Sequence, residues 1–420
     1  MKTYIRTWVQ KILQRRADSV LQNAEVIIGI TGSVGKSSTR MAIAQVLKKK
    51  YSVSTSKHNF NTPLGLLLSL VGVDQSGYSI CSWIRVLLAA FFRPPPSSQV
   101  LVLEYGIDAP GDMDRLLEVA KPDIVVLSPV SLAHTGAGQF HNVEDIREEK
   151  LKLALAAKEK IIANGFDAPT VADIQKKAKK PLLVFGSSKN ADVMIHYQET
   201  NTHGIHFTVD EEEFSARVFG EFQPQIFAPA IILGKEMNVN MQDIKNAIAE
   251  YEPPAGRGRI FLGKNGSTLW DFSYNCSPSA ASAALRSLAD VPGFSRRIAL
   301  LGNMNELGEH THKEHKKIGS LAEKYADVII FVGKESEAFT TGIHDKKKVR
   351  ICTNAKKAAQ FLQDMVQEND LILVKGSQNG VFLEEAVKML LEKKENVARL
   401  CRQSKHWEKV RRMYFESHKV

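Results

Sequence analysis

The sequence predicts an α/β protein: a P-loop-type doubly wound central domain followed by a Rossmann-like C-terminal domain. Three observations carry this. An apolar run, Val26-Ile27-Ile28, leads into the Gly-rich turn Gly29-Ile-Thr-Gly-Ser-Val-Gly-Lys-Ser-Ser38, and helical spacing follows over Met41 to Lys50. Strand and helix patterns then alternate through Lys160 to Ala163, as a parallel sheet with crossover helices requires. A Pro/Gly cluster, Glu252-Pro-Pro-Ala-Gly-Arg-Gly258, interrupts the pattern, and the alternation restarts beyond it.

The first turn carries the chemistry. Strand, Gly-rich turn, Lys-Ser and helix is the order of a phosphate cradle. Backbone N–H groups of the turn and of the helix N-terminus face an anion, Lys36 adds a point charge, and the Ser37 hydroxyl can sit on Mg²⁺. Gly32, Ser33, Val34, Gly35, Lys36, Ser37 and Ser38 form the expected nucleotide-binding set. The usual pattern places a Gly five residues before Gly35, and here that residue is Ile30, so the cradle is short.

The other elements follow in order. Met1 to Gln22 reads as a basic amphipathic helix, with Tyr4, Ile5, Trp8, Val9, Ile12 and Leu13 at helical spacing. It either packs on the domain or touches a membrane surface. Tyr51 to Ser56 is a strand, and Leu66 to Val71 a helix opened by a turn that carries Asn61 and Thr62. Trp83 to Phe92 is an apolar stretch too short to span a bilayer, and it reads as a packed helix. Gln99 to Glu104 is a buried strand ending in a carboxylate. That places Glu104 at the sheet's C-terminal edge, facing the phosphate turn, where ligands bind in open α/β sheets. His134 stands just past the strand Asp123 to Ser128. Lys150 lies on a helix from Asn142 to Ala157. The runs Asp192 to Tyr197, His203 to Val209 and Glu213 to Phe219 are β-rich. Beyond residue 258, strands over 268–272, 297–301, 328–332 and 370–375 alternate with helices, and a basic helical tail closes the chain.

Bulk properties bound the function. A chain of 420 residues exceeds one ordinary core, and 44% hydrophobic with 24% charged residues suits a globular protein. Cys81, Cys276, Cys352 and Cys401 show no paired metal spacing and read as reduced thiols of a cytoplasmic protein. The net charge of +10 comes without an aromatic-basic recognition motif, so small anionic substrates are expected and nucleic acid is not. No secretory signal is read at the N-terminus.

Over roughly residues 25 to 390 the chain resembles the Mur ligase family, the ATP-dependent amide-bond ligases of peptidoglycan synthesis. Four blocks carry the resemblance: Gly29 to Ser38; Glu104 and His134 with Lys150; Gly256-Arg257 with Asp271-Phe-Ser-Tyr-Asn275 and Pro278; and Leu301-Gly-Asn-Met-Asn-Glu-Leu-Gly308 with Leu371 to Ser377. The resemblance implies domains at 25–252 (ATP-binding) and 253–395, flanked by the helix 1–24 and the tail 396–420. It implies ATP and Mg²⁺, with Lys36, Lys150 and His134 in the reaction. Ser37, Glu104, His134 and Lys150 would serve metals, Lys150 after conversion to a carbamate by CO₂. Arg257, Asp271 and Asn275 would lie near the nucleotide, brought in by closure about a hinge at Pro253 to Gly258. The implied reaction joins a carboxylate to an amino acid or dipeptide through an acyl phosphate, D-Ala-D-Ala addition to a UDP-muramoyl peptide being the expected case. The partners are then small-molecule acids and amines bound by a monomer. A poly-amino acid or folate-type acid, or the role of a non-catalytic ATP-binding subunit, is the alternative.

Three features depart from the family. About 24 residues precede the first domain, so a separate UDP-sugar domain is not expected there. The segment Gln378-Asn-Gly-Val-Phe382 lacks an Arg after Lys-Gly-Ser. The loop Asn59 to Gly65 resembles the version in ligases that extend poly-amino acids or folates.

Overall fold

The computed structural model describes residues 2–55, 62–73, 86, 88, 97–132, 139–378 and 380–417, with backbone alone for residues 2–9. The expected helix over Trp83 to Phe92 lies outside the described residues except at positions 86 and 88, and Asn61 lies outside them altogether.

Two sheets form the frame. The first contains β1 (Val26–Thr31), β2 (Val53–Thr55), β3 (Val100–Glu104), β4 (Ile124–Leu127), β5 (Lys160–Asn164), β6 (Leu182–Gly186), β7 (Val193–Asn201), β8 (Gly204–Val209) and β9 (Glu212–Ala216). Their order is β2-β3-β1-β4-β5-β6-β7-β8-β9. Pairing is parallel from β2 to β7 and antiparallel across β7, β8 and β9. The second sheet contains β10 (Arg259–Leu262), β11 (Thr268–Phe272), β12 (Arg296–Gly302), β13 (Val328–Val332), β14 (Val349–Cys352) and β15 (Asp370–Lys375), in the order β10-β11-β15-β12-β13-β14. Only β10 runs antiparallel to its neighbour.

Continuous apolar strands explain why both faces are covered. Side chains alternate faces along a strand, so Leu101 and Leu103 enter one core while Val100 and Val102 enter the other. β12 divides in the same way, with Ile298 and Leu300 on one side and Ala299 and Leu301 on the other. Helices cover the four cores formed on the faces of the two sheets.

The first helix spans Lys2–Asn23. Leu13, Ala17 and Val20 recur one turn apart and are buried against the first sheet's core with the helix Pro63–Val71. Burying Leu13 and Val20 contributes about 1.5–3 kcal/mol each. No helix among the described residues is long and apolar enough to cross a membrane.

Four helices and strands escape the sequence reading: the helices Ala168–Lys177 and Ser336–Thr340 and the strands β10 and β14. The helix after the Gly-rich turn also begins earlier than its apolar spacing shows, at Lys36 rather than Met41. Its first turn is polar because it faces the cleft. The last helix, Lys405–Ser417, packs onto the second sheet's core. Phe415 is buried, and Trp407 and Tyr414 meet the ring of Phe382 edge-on.

Candidate active site

The strand order of the first sheet reverses about β1, with β3 on one side and β4 on the other. A crevice therefore opens beyond the C-terminal ends of these strands. The Gly-rich turn fills it. Gly32 has φ 141°, and a Cβ there would lie 1.9 Å from Ser128 Oγ and 2.5 Å from the Ser128 carbonyl oxygen. Gly35, at φ 88°, caps the helix Lys36–Leu47. The Ser33 N–H donates to the Pro129 carbonyl at 2.9 Å, and the Ser33 hydroxyl donates to the Ser131 carbonyl at 2.9 Å. These bonds pin the turn to the loop after β4.

β3 delivers Glu104 to the same edge, paired in register with Ile30 of β1. The Ser37 hydroxyl stands 2.8 and 3.1 Å from the two Glu104 carboxylate oxygens. Arg40 Nε lies 3.7 Å from the same carboxylate, and both side chains are buried. Lys36 Nζ donates to the Gly32 carbonyl at 2.8 Å. Burial lowers the Lys36 pKa, against the pull of Glu104 and with some help from Arg257.

Lys150 projects from the helix Val143–Leu155 into the same region. It is 2% exposed, one of the largest fully buried side chains among the described residues. Burial, and then the like charge of Lys36, hold its amine well below the ordinary lysine range, although Asp108, Glu104 and Glu149 favour the charged form. A neutral lysine amine beside carboxylates is a competent nucleophile toward an electrophile such as CO₂. His134 lies outside the described residues. Among the described residues no three His, Cys, Asp or Glu side chains gather as a metal cluster. The hard oxygens of Ser37 and Glu104 nevertheless fit Mg²⁺, which keeps several waters and takes its remaining ligands from phosphates.

The second sheet supplies the opposite wall. The loops after β11, β12 and β15 all open toward the Gly-rich turn and enclose a cleft of about 740 Å³. Ser279 Oγ donates to Ser131 Oγ at 3.0 Å across it. Arg257 lies in the cleft wall with its guanidinium 4.4 Å from the centroid of the Tyr274 ring. Asn275 also lines the cleft, and its carbonyl accepts from Lys375 Nζ at 3.2 Å. The structure does not bring Asp271 to the cleft. That residue is fully buried, its carboxylate accepts from the Ser273 N–H at 2.9 Å, and burial raises its pKa.

Lys375 ends the buried strand β15, lines the cleft and has its pKa lowered by burial. The sequence reading placed it in a motif without assigning it to the site. Asp108 and Arg40 were likewise not singled out. The walls thus present Lys36, Arg257 and Lys375 around one carboxylate–hydroxyl pair, an arrangement suited to a polyanion with a cation.

The loop 303–308 completes the second wall. The Met304 N–H donates to His315 Nε2 at 2.9 Å, while His315 Nδ1 lies 2.6 Å from the Thr311 carbonyl. The ring is therefore neutral, with its proton on Nδ1, and burial lowers its pKa from 6.5. A depressed histidine pKa means that the unfolded chain binds more protons, so neutral His315 stabilises the fold above about pH 6.5 and that contribution is lost as pH falls through the folded value. Denaturant unfolding from about pH 8 to 5 is expected to show that loss in the wild type, and His315→Asn is expected to flatten it. An unchanged slope would refute the assignment.

Residues 30–225 match the model for the Mur ligase middle domain, and residues 256–378 match that for the Mur ligase glutamate ligase domain. The chain is 26% identical over 388 residues to the UDP-N-acetylmuramoyl-tripeptide–D-alanyl-D-alanine ligase of Bacillus subtilis, covering 90% of this chain and 79% of that one. The Escherichia coli enzyme of the same name is 25% identical over 391 residues, covering 87% and 77%. In fold the chain is similar to MurF ligase from Thermotoga maritima in complex with ADP, with a TM-score of 0.74, 23% identity and coverage of 92% and 84%. It is also similar to the folylpolyglutamate synthase of Mycobacterium tuberculosis complexed with ADP, with a TM-score of 0.65, 15% identity and coverage of 88% and 91%. Both domain matches fall on the two walls of the cleft, and the chain belongs to the Mur ligase family of ATP-dependent, ADP-forming ligases.

Proposed function

We propose that the protein joins a carboxylate to an amino acid or dipeptide in peptidoglycan precursor synthesis, adding D-Ala-D-Ala to a UDP-muramoyl peptide. A carboxylate is a poor acyl donor. Transfer of the γ-phosphoryl group of ATP gives an acyl phosphate and ADP. An incoming amine then forms the C–N bond, expelling phosphate and losing a proton. The protein's task is positioning and charge neutralisation.

The observation that carries this reading is the Ser37–Glu104 pair at 2.8 Å beside Lys36, opposite Arg257 and Lys375. In this reading the turn amides 32–38 and Lys36 hold the β- and γ-phosphates. Ser37 and Glu104 would hold Mg²⁺, which would screen the repulsion between the substrate carboxylate and ATP. Arg257 and Asn275 would face the nucleotide from the second wall. Asp271 would act from beneath, by fixing the backbone that precedes Asn275. His134 would serve a second metal. Lys150 would carry a carbamate, formed when its neutral amine attacks CO₂ and releases a proton. A monomer in the cytoplasm, with the basic first helix able to touch a membrane surface, completes the reading.

The test is acceptor-dependent ADP formation, starting with UDP-muramoyl tripeptide plus D-Ala-D-Ala. Turnover that requires both substrates is expected. ATP binding without substrate-dependent turnover would point instead to a non-catalytic subunit. A second reading, ligation to a folate-type or poly-amino acid, is favoured by the sequence of the loop Asn59 to Gly65, which resembles the version in ligases that extend such acids. ADP formation with such an acid, and none with the muramoyl peptide, would select it.

A further inference from the structure

The turn after β11 presents Tyr274 and Asn275 to the cleft, and its backbone carbonyls have an unusual set of partners. The Ser273 carbonyl accepts from Arg402 Nη1 at 3.3 Å, and the Tyr274 carbonyl accepts from Arg402 Nη2. The next carbonyl, of Asn275, is held by Lys375. Three successive carbonyls thus rest on two side-chain cations. A buried carbonyl left without a donor is costly, so these contacts fix the turn.

Arg402 is 8% exposed and lies beyond the matched C-terminal domain, which ends at residue 378. Glu384, wholly buried, holds Arg402 Nη1 at 2.9 Å. Arg411 stands 3.6 Å from the other Glu384 oxygen, and Arg411 Nη1 donates to the Arg402 carbonyl. Arg402 has φ 56°, a region that a non-glycine residue occupies only when its surroundings enforce it. Its guanidinium lies 5.1 Å from the centroid of the Tyr274 ring, while that of Arg257 lies 4.4 Å from the same centroid. A continuous chain of contacts therefore runs from Glu384 through Arg402 and Tyr274 to Arg257 in the cleft wall.

We infer that Arg402 is a positioning residue of the nucleotide site: its planar fork holds the Ser273–Tyr274 backbone and the Tyr274 ring, so that Tyr274, Arg257 and Asn275 face the cleft in fixed register. The segment from Arg399 to Ser417 is then part of the nucleotide site. Lysine, a point charge without the fork, replaces Arg402 only in part. This inference rests on the nucleotide reading of the cleft, and the wild-type measurement tests that reading separately.

The experiment is calorimetric titration of the full chain with ADP in Mg²⁺ buffer, paired with thermal unfolding without nucleotide. Wild-type chain, Arg402→Gln, Arg402→Lys and Arg411→Gln are compared. Arg411→Gln removes an arginine of the same buried network that touches neither Ser273 nor Tyr274. Arg402→Gln is expected to weaken ADP about tenfold or more, with Arg402→Lys intermediate. Arg411→Gln is expected to change affinity by less than about threefold despite a comparable loss of thermal stability. Guanidinium ion at low concentration is expected to restore part of the affinity of Arg402→Gln. If Arg402→Gln does not fold, Arg402→Lys against Arg411→Gln decides the question. ADP affinity that follows thermal stability equally in both positions, or is unchanged in the Arg402 variants, overturns the proposal. Absence of ADP binding by the wild type would instead overturn the nucleotide reading.

Discussion

Lys150→Ala is expected to abolish ligation, with a loss on the order of 10³-fold in turnover, or about 4 kcal/mol of transition-state stabilisation. The reason lies in where the amine sits. Lys150 is buried, and Lys36 and Asp108 act electrostatically on it. A charged ammonium there would repel the cation that ATP brings. A carbamate on the same nitrogen reverses that sign and offers two oxygens. Removing the side chain leaves a gap that a short-chain acid can enter, so acetate or propionate is expected to restore part of the activity. Lys150→Arg fills the gap and keeps the positive charge, so it is expected to be inactive and beyond rescue. Ligation assays of the three proteins, with and without added acid, check this. Full activity of the alanine variant without rescue would eliminate the carbamate.

Gly32→Ala is expected to destroy nucleotide binding without altering any charged group. Its φ of 141° alone strains an alanine by about 1–3 kcal/mol. The added methyl would also overlap the Ser128 carbonyl, which is backbone and has no rotamer to adopt. The turn would have to leave β4, breaking the Ser33–Pro129 and Ser33–Ser131 bonds and moving the amides proposed above to hold the phosphates. Gly35→Ala is the control. There the nearest atom to a new Cβ is Ile226 Cγ1 at 3.9 Å, so only backbone strain at φ 88° is incurred. ADP titration is expected to show a loss of about a hundredfold or more for Gly32→Ala and a markedly smaller one for Gly35→Ala. Equal affinities would show that close approach to Ser128 does not matter.

What the sequence made legible follows the range of the interactions. The Gly-rich turn was readable because strand, turn and helix start are contiguous. Glu104 was readable because a charged residue ending an apolar run must sit at a sheet edge. Lys375 ends an apolar strand in the same way, so the same rule would have placed it in the site. The helix Ala168–Lys177 carried its own signal, an Asp167 cap with Pro169 in the first turn. Asp271 shows the converse. It stands four residues before Asn275 in one motif, yet Trp270 and Phe272 flank it on a strand, and alternation points its carboxylate away from the cleft and into the domain. The Arg402 contacts could not be read at all, because they join residues 128 and 129 positions apart. Composition at the end of the chain shows only basic residues, not which of them turn inward.

The seven residues from Glu252 to Gly258 join the two walls, and they are not a bare linker. Arg259 and Arg399 both engage the Glu252 carboxylate, and Arg259 Nε donates to the Pro253 carbonyl at 2.5 Å. Arg257, one of the cleft's cations, is itself part of this tether. Seven extended residues reach at most about 25 Å, so each half of the site always sees the other at a high effective concentration. A nucleotide held by one wall would thus meet its second set of contacts as an intramolecular event. Its dwell time would then depend on contacts from both walls rather than on the turn amides alone.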